Sequence, residues 1–149
     1  MTRTFRIHKK DGTKIVEGES PLAITGISAD TQVAAGDYYA IAIENEVESA
    51  KVDVPAFKTL PISVTGVSLD KTTATLAQGE TLKLTPTVTP TNATDKTGAW
   101  SSSNTAVATV SGGTVTVKAD APADGTTDVT FTTNDGGKIA KCTVTVTPS

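Results

Sequence analysis

Residues 64–110 read VTGVSLDKTTATLAQGETLKLTPTVTPTNATDKTGAWSSSNTAVATV, with GGTVTVKA at 112–119 and DVTFTTNDGGKIAKCTVTVT at 128–147. Short runs rich in valine, leucine and threonine are separated by the turn residues Gln78-Gly79, Ser111-Gly112-Gly113 and Asp135-Gly136-Gly137. Alternation with period two sends one set of side chains to each face of a strand. Ala108 and Val110 are therefore expected to pair with Val115 and Val117 across the 111–113 turn. Val129 and Phe131 repeat the pattern, 135–137 makes the last hairpin turn, and Cys142, Val144 and Val146 close the sheet. In the run 81–88, Leu82 and Leu84 share a face. Pro86 and Pro90 cannot donate ladder hydrogen bonds, so that strand is expected at an edge or to end early. Residues 92–98 read as a polar loop, and Trp100 follows as the largest apolar body available to a core. Turn signals every ~8 to 12 residues are the rhythm of two packed antiparallel sheets.

Outward from this stretch, the first part of the chain is also strand-like. In 4–8 the alternation places Phe5 and Ile7 on one face and Arg6 and His8 on the other. Asp11-Gly12 reads as a tight turn into a second run at 13–17. Residues 20–27 alternate through Leu22 and Ile24, and 38–43 through Tyr39, Ile41 and Ile43. Asn45-Glu46 is a turn signal before 47–54. The segment KTLPIS at 58–63, with Pro61 between two β-rich regions, marks a boundary. The fold class is all-β, with a small β domain over 1–60 followed by a β-sandwich over 61–149.

The chain has 149 residues, 13 basic against 16 acidic, for a net charge of −3. That balance lacks the positive field of a nucleic-acid-binding protein. No stretch approaches the ~18 consecutive apolar residues of a membrane span, so no membrane partner is expected. The amino terminus carries charges where an export signal has an apolar segment. Cys142 is the only cysteine, so no intrachain disulfide forms. Aromatic residues are 4% of the chain, which leaves the core to valine, isoleucine, leucine and alanine.

Catalysis needs convergent titratable groups, and few are available. His8 is the only histidine, and on a strand it reads as a solvated side chain. Alternation points Cys142 inward beside Val144, as a structural thiol. The glycine pairs at 112–113 and 136–137 lie between strands, where hairpin turns account for them. Glu44, Glu46 and Glu48 share a face if their strand is continuous, and Asp120, Asp124 and Asp128 flank a loop; both sets read as exposed surface that discourages edge aggregation. No catalytic residue, metal or cofactor is assigned. Basic residues concentrate at the start, at Arg3, Arg6, Lys9, Lys10 and Lys14. Arg6, His8 and Lys10 alternate onto one face, which makes Arg3, Arg6, His8 and Lys10 the candidate docking residues.

The order and spacing of GETLKLTPTVTPTNAT at 79–94, WSSSN at 100–104, AVATV at 106–110 and CTVTVT at 142–147 resemble a bacterial immunoglobulin-like domain of group 2 (Big2). Residues 20–59 resemble the second half of a fibronectin type III domain, through Leu22, Ile24, Gly26, Ile27, Tyr38 or Tyr39, and Phe57. The Big2 resemblance implies a display and adhesion module of bacterial surfaces and phage particles, and argues against an enzyme. Joined to a small β domain and a start without an export signal, the chain resembles a phage head decoration protein. That resemblance implies docking to a major capsid protein through the N-terminal domain, and weak, multivalent adhesion to host-surface glycans by the displayed domain. The expected location is the capsid exterior, after synthesis in the host cytoplasm. A tail component, with a tail protein as partner, and a bacterial surface adhesin module are the alternatives.

Overall fold

The computed structural model describes residues 3–147, which are all-β with no helix among them. The chain divides into two compact units, 1–61 and 62–149.

In the N-terminal unit, β1 (Thr4–Lys9) is flanked by β2 (Lys14–Gly18) and by β4 (Tyr38–Glu44), both antiparallel to it. The far edge of β4 carries β5 (Val47–Glu48) and β6 (Val52–Asp53). A separate ribbon pairs β3 (Gln32–Val33) with β7 (Phe57–Lys58). Ile7, Tyr39 and Ile41 are buried, as the alternation requires, and Val33 of the ribbon is buried with them. Asn45 and Glu46 form the β4–β5 turn with φ of 52° and 64°, the left-handed geometry of a two-residue hairpin. The turn interrupts the strand, so Glu44, Glu46 and Glu48 do not line one continuous face.

Two expectations are corrected here. Residues 20–27 form no ladder: Leu22, Ile24 and Ile27 are half-buried, but Pro21 has no amide to donate and Gly26 turns the backbone at φ +78°. The face shared by Arg6, His8 and Lys10 also breaks. A register shift lies between Ile7 and His8 in the β1–β2 ladder, β1 ends at Lys9, and Lys10 stands in the following turn.

The C-terminal unit contains β8 (Gly66–Leu69), β9 (Thr73–Leu76), β10 (Thr81–Lys83), β11 (Pro86–Thr89), β12 (Gly98–Ser102), β13 (Ala108–Ser111), β14 (Thr114–Val117), β15 (Thr126–Thr133) and β16 (Ile139–Val146). One sheet runs β12-β15-β16-β9, with β9 parallel to β16; another runs β10-β14-β13; β11 pairs with β8. Ala108 faces Val117 and Val110 faces Val115 across the β13–β14 hairpin, the pairing read from the alternation. Val115, Val117, Val129, Cys142, Val144 and Val146 are at most 1% exposed. Each buried valine contributes about 1.5 to 3 kcal/mol relative to exposure, so the unit is held by many small side chains. Trp100 packs against both buried clusters, one around these valines and one formed by Val64, Val88, Ala93 and Phe131. Its ring lies 5.0 Å from that of Phe131.

The run 81–88 is not one strand. β10 pairs with β14 whereas β11 pairs with β8, and the chain changes partner at Leu84-Thr85. Leu84 is 1% exposed, and its N–H donates to Gly113 O at 2.8 Å. A Cβ on Gly113 would lie 2.7 Å from Leu84 O, and its φ is +82°, so only glycine lets the hairpin approach this crossing. Pro86 is accommodated because β11 pairs on one side only.

The Trp-Ser-Ser-Ser-Asn run is a polar corner built on one buried hydroxyl. Thr127, 2% exposed on β15, accepts the N–H of Asn104 at 2.9 Å and lies 2.9 Å from Ser102 Oγ. Ser102 Oγ donates its own proton to Ala108 O at 2.7 Å, so Thr127 is the donor in their contact. The serines thus satisfy backbone and hydroxyl groups where β12 leaves the sheet.

Candidate functional site

The four docking candidates differ sharply in their surroundings. Arg3 Nη2 pairs with Glu44 Oε2 at 2.8 Å. Arg6 sits between β2 and β5: its Nε is 3.1 Å from Glu17 Oε2, and its Nη1 pairs with Glu48. Lys14 also reaches Glu17, at 2.9 Å. Hydrogen bonding from Arg6, then from Lys14, lowers the Glu17 carboxyl to about 2. The arginines are therefore cross-strand ties within the sheet and not a free basic face.

His8 is half-buried and stacks on Tyr39, with ring centroids 5.2 Å apart and planes within 4°. Its Nδ1 is 2.9 Å from Gly12 O, which can only accept, so Nδ1 carries the proton. Nε2 is buried without a partner among the described residues. Lys51 Nζ lies 4.4 Å from the centre of the Tyr39 ring. His8 is thus a packing residue of this sheet, where the sequence suggested a solvated one.

Lys10 alone of the four is exposed and without an ion pair among the described residues. With Lys9 it borders a cleft of about 620 Å³, which 26–33 and the start of β4 complete. Sequence reading missed Tyr38, Asp37 and Gln32 as neighbours of these lysines, because irregular chain and strand pairing bring them together. The adjacent Lys9-Lys10 pair was the only local signal. A second cleft, of about 500 Å³, lies at the opposite end of β1, bordered by Arg3, Glu44, Asn45 and Val47.

In the C-terminal unit, Asp128 is held by Lys141 Nζ at 3.2 Å and by the Thr143 hydroxyl at 2.8 Å, which lower its pKa, the hydroxyl more than the lysine. Cys142 is fully buried on the inward face of β16, and burial pushes its thiol up. No group of three or more metal-ligating side chains is gathered among the described residues.

The family model for the bacterial Ig-like domain (group 2) matches residues 63–144, more than half of the chain. The chain belongs to this family.

The group 2 Ig-like domain occupies the C-terminal unit, and its WSSSN run is the polar corner built on Thr127. The chain is similar to an Ig-like virion protein of Serratia phage KSP90, 44% identical over 85 residues, covering 57% of this chain and 32% of that protein. It is also similar to an alpha-L-arabinofuranosidase of Bifidobacterium longum subsp. longum, 32% identical over 150 residues, covering 95% of this chain and 13% of that enzyme. The chain thus spans a third or less of the length of either relative. Among solved structures, domains 4 and 5 of the S-layer protein SbsC share the fold, with a TM-score of 0.50, 20% identity, and coverage of 97% of this chain and 98% of that one. SbsC domains 1-6 do likewise, with a TM-score of 0.51, 21% identity, and coverage of 99% and 20%.

Proposed function

We propose that this group 2 Ig-like protein is a structural component of a phage virion, attached to the particle through its N-terminal unit and displaying its Ig-like unit on the capsid exterior. The observation that carries this reading is the 44% identity to an Ig-like virion protein over a length comparable to the family domain. Display in many copies suits a fold without an evident catalytic centre, because avidity multiplies weak contacts with host-surface glycans. Attachment would draw on the β5–β6 edge, where Val47 is 70% and Val52 65% exposed, and not on Arg3 and Arg6, which are already paired. The partner is the major capsid protein; a tail protein is the alternative.

A non-catalytic role is supported by the state of the usual nucleophiles and bases. Cys142 is sealed in the core, and His8 is packed on Tyr39 with its Nδ1 committed to Gly12. The alignment to an arabinofuranosidase favours a second reading, an accessory segment of a longer carbohydrate-active protein. Mass spectrometry of gradient-purified particles from a producing lysate separates the two. The virion reading expects the chain at stoichiometric copy number in intact particles and no release of arabinose from arabinan by the purified protein. Absence from particles overturns it, and sugar release overturns the non-catalytic assignment.

A further inference from the structure

We propose that the cleft at the Lys9–Lys10 end of the N-terminal unit is a binding site for an acidic saccharide, a short oligosaccharide carrying hexuronic acid groups. This deepens the adhesion part of the display reading and rests on it for biological role only; it moves the carbohydrate contact from the Ig-like unit to the N-terminal one.

The cleft's hydrogen-bonding groups are unevenly committed. One oxygen of each cleft carboxylate is engaged: Asp11 Oδ1 accepts the Thr13 N–H at 2.8 Å, and Asp37 Oδ2 accepts the Ala34 N–H at 2.9 Å. The Gln32 amide donates to Phe57 O at 3.1 Å and is tied to the β3–β7 ribbon. The lysines are less committed, the Lys9 ammonium lying in the field of the Asp11 carboxylate without a close ion pair. Neither the Lys9 nor the Lys10 ammonium has an ion pair, and the Tyr38 hydroxyl has no hydrogen bond, among the described residues. A ligand that completes this site brings acceptors, and two ammonium groups at one rim select a carboxylate.

Other features narrow the ligand further. Ile27 and Tyr38 give the cleft apolar surface beside the charges, matching the C–H face of a sugar ring. The second oxygen of Asp37 remains to accept a sugar hydroxyl, a donor that a simple inorganic anion does not bring. The volume, about 620 Å³, falls within the roughly 300–1,000 Å³ of small-ligand sites and holds a few sugar rings. The Asp37 carbonyl accepts the Lys10 N–H at 2.8 Å, which joins the lysine turn to the start of β4.

The test uses the full chain, labelled with nitrogen-15 and carbon-13, titrated with trigalacturonate, maltotriose and a hexaglutamate peptide in separate arms. Trigalacturonate is expected to shift the Tyr38 ring and the Lys9, Lys10 and Asp37 amides with a Kd on the order of 1 mM. Maltotriose is expected to shift them far less. The exposed double substitution Lys9→Gln with Lys10→Gln should weaken trigalacturonate binding about fivefold or more while the other resonances stay in place. The proposal is overturned if trigalacturonate leaves these signals unmoved, if maltotriose matches it, or if the double variant binds as the parent does. Tighter binding of hexaglutamate would make the cleft an acidic-peptide site instead. None of these outcomes depends on attachment to a particle, so failure of the saccharide site and failure of the virion reading are separate results.

Discussion

Thr127 Oγ1 accepts the backbone N–H of Asn104 at 2.9 Å, so one hydroxyl on β15 closes the corner where the chain leaves β12. Replacing Thr127, itself 2% exposed, with valine keeps the shape but removes the acceptor of the Asn104 N–H and the donor to Ser102 Oγ, whose own bond to Ala108 O remains. The expected cost is about 1 to 3 kcal/mol. Urea unfolding followed by Trp100 fluorescence measures it, and Thr127→Ser should recover much of the loss. An unchanged midpoint in the valine variant would mean the corner carries no stability.

Gly98 and Gly66 both lie in strands, yet their substitutions should move stability in opposite directions. A Cβ on Gly98 would fall on the Thr132 carbonyl oxygen and 2.5 Å from Phe131 Cζ, so Gly98→Ala overpacks the sheet by about 1 to 3 kcal/mol. A Cβ on Gly66 meets nothing within 4 Å. Gly66→Ala should therefore stabilise by about 0.5 kcal/mol, through loss of freedom in the unfolded chain. Thermal unfolding of the two variants beside the parent decides both.

Glu17 gives the N-terminal unit an acid sensitivity of definite sign. Its carboxyl falls from the ordinary 4.5 to about 2 in the folded unit, chiefly through Arg6 and then Lys14. On acidification the unfolded chain takes up the proton first. The stabilisation is therefore whole above pH 4.5 and is lost as the pH falls through about 2. Methyl resonances of Ile7 and Ile41 followed in urea between these limits should show a steeper loss of stability in the parent than in Glu17→Gln. Equal slopes would remove Glu17 as the cause.

The Ig-like unit was far more legible in the sequence than the site. Period-two alternation with glycine turns fixes which residues of 108–117 oppose one another, because a hairpin leaves a single register that buries both valine pairs. The same rule does not separate 81–88 into two strands, since Leu84 satisfies the pattern while the backbone changes sheets beneath it. Nor does it reveal that 20–27 would half-bury Leu22 and Ile24 without a ladder, because side-chain alternation reports burial and not hydrogen bonding. Charge patterning placed Arg6 on an outward face. Its neutralisation by Glu17 and Glu48 depends on which strands flank β1, which is long-range information. The cleft beside Lys10 is hidden for the same reason.

Reconstruction by electron cryo-microscopy of particles purified from a producing lysate decides whether the N-terminal unit is the anchor. Density is expected for residues 3–61 against the capsid surface, with the β5–β6 edge in contact, and for the Ig-like domain of residues 62–147 projecting from it. Density for the chain only on the tail, the Ig-like domain seated on the capsid with the N-terminal unit free, or particles without the chain would contradict that anchoring.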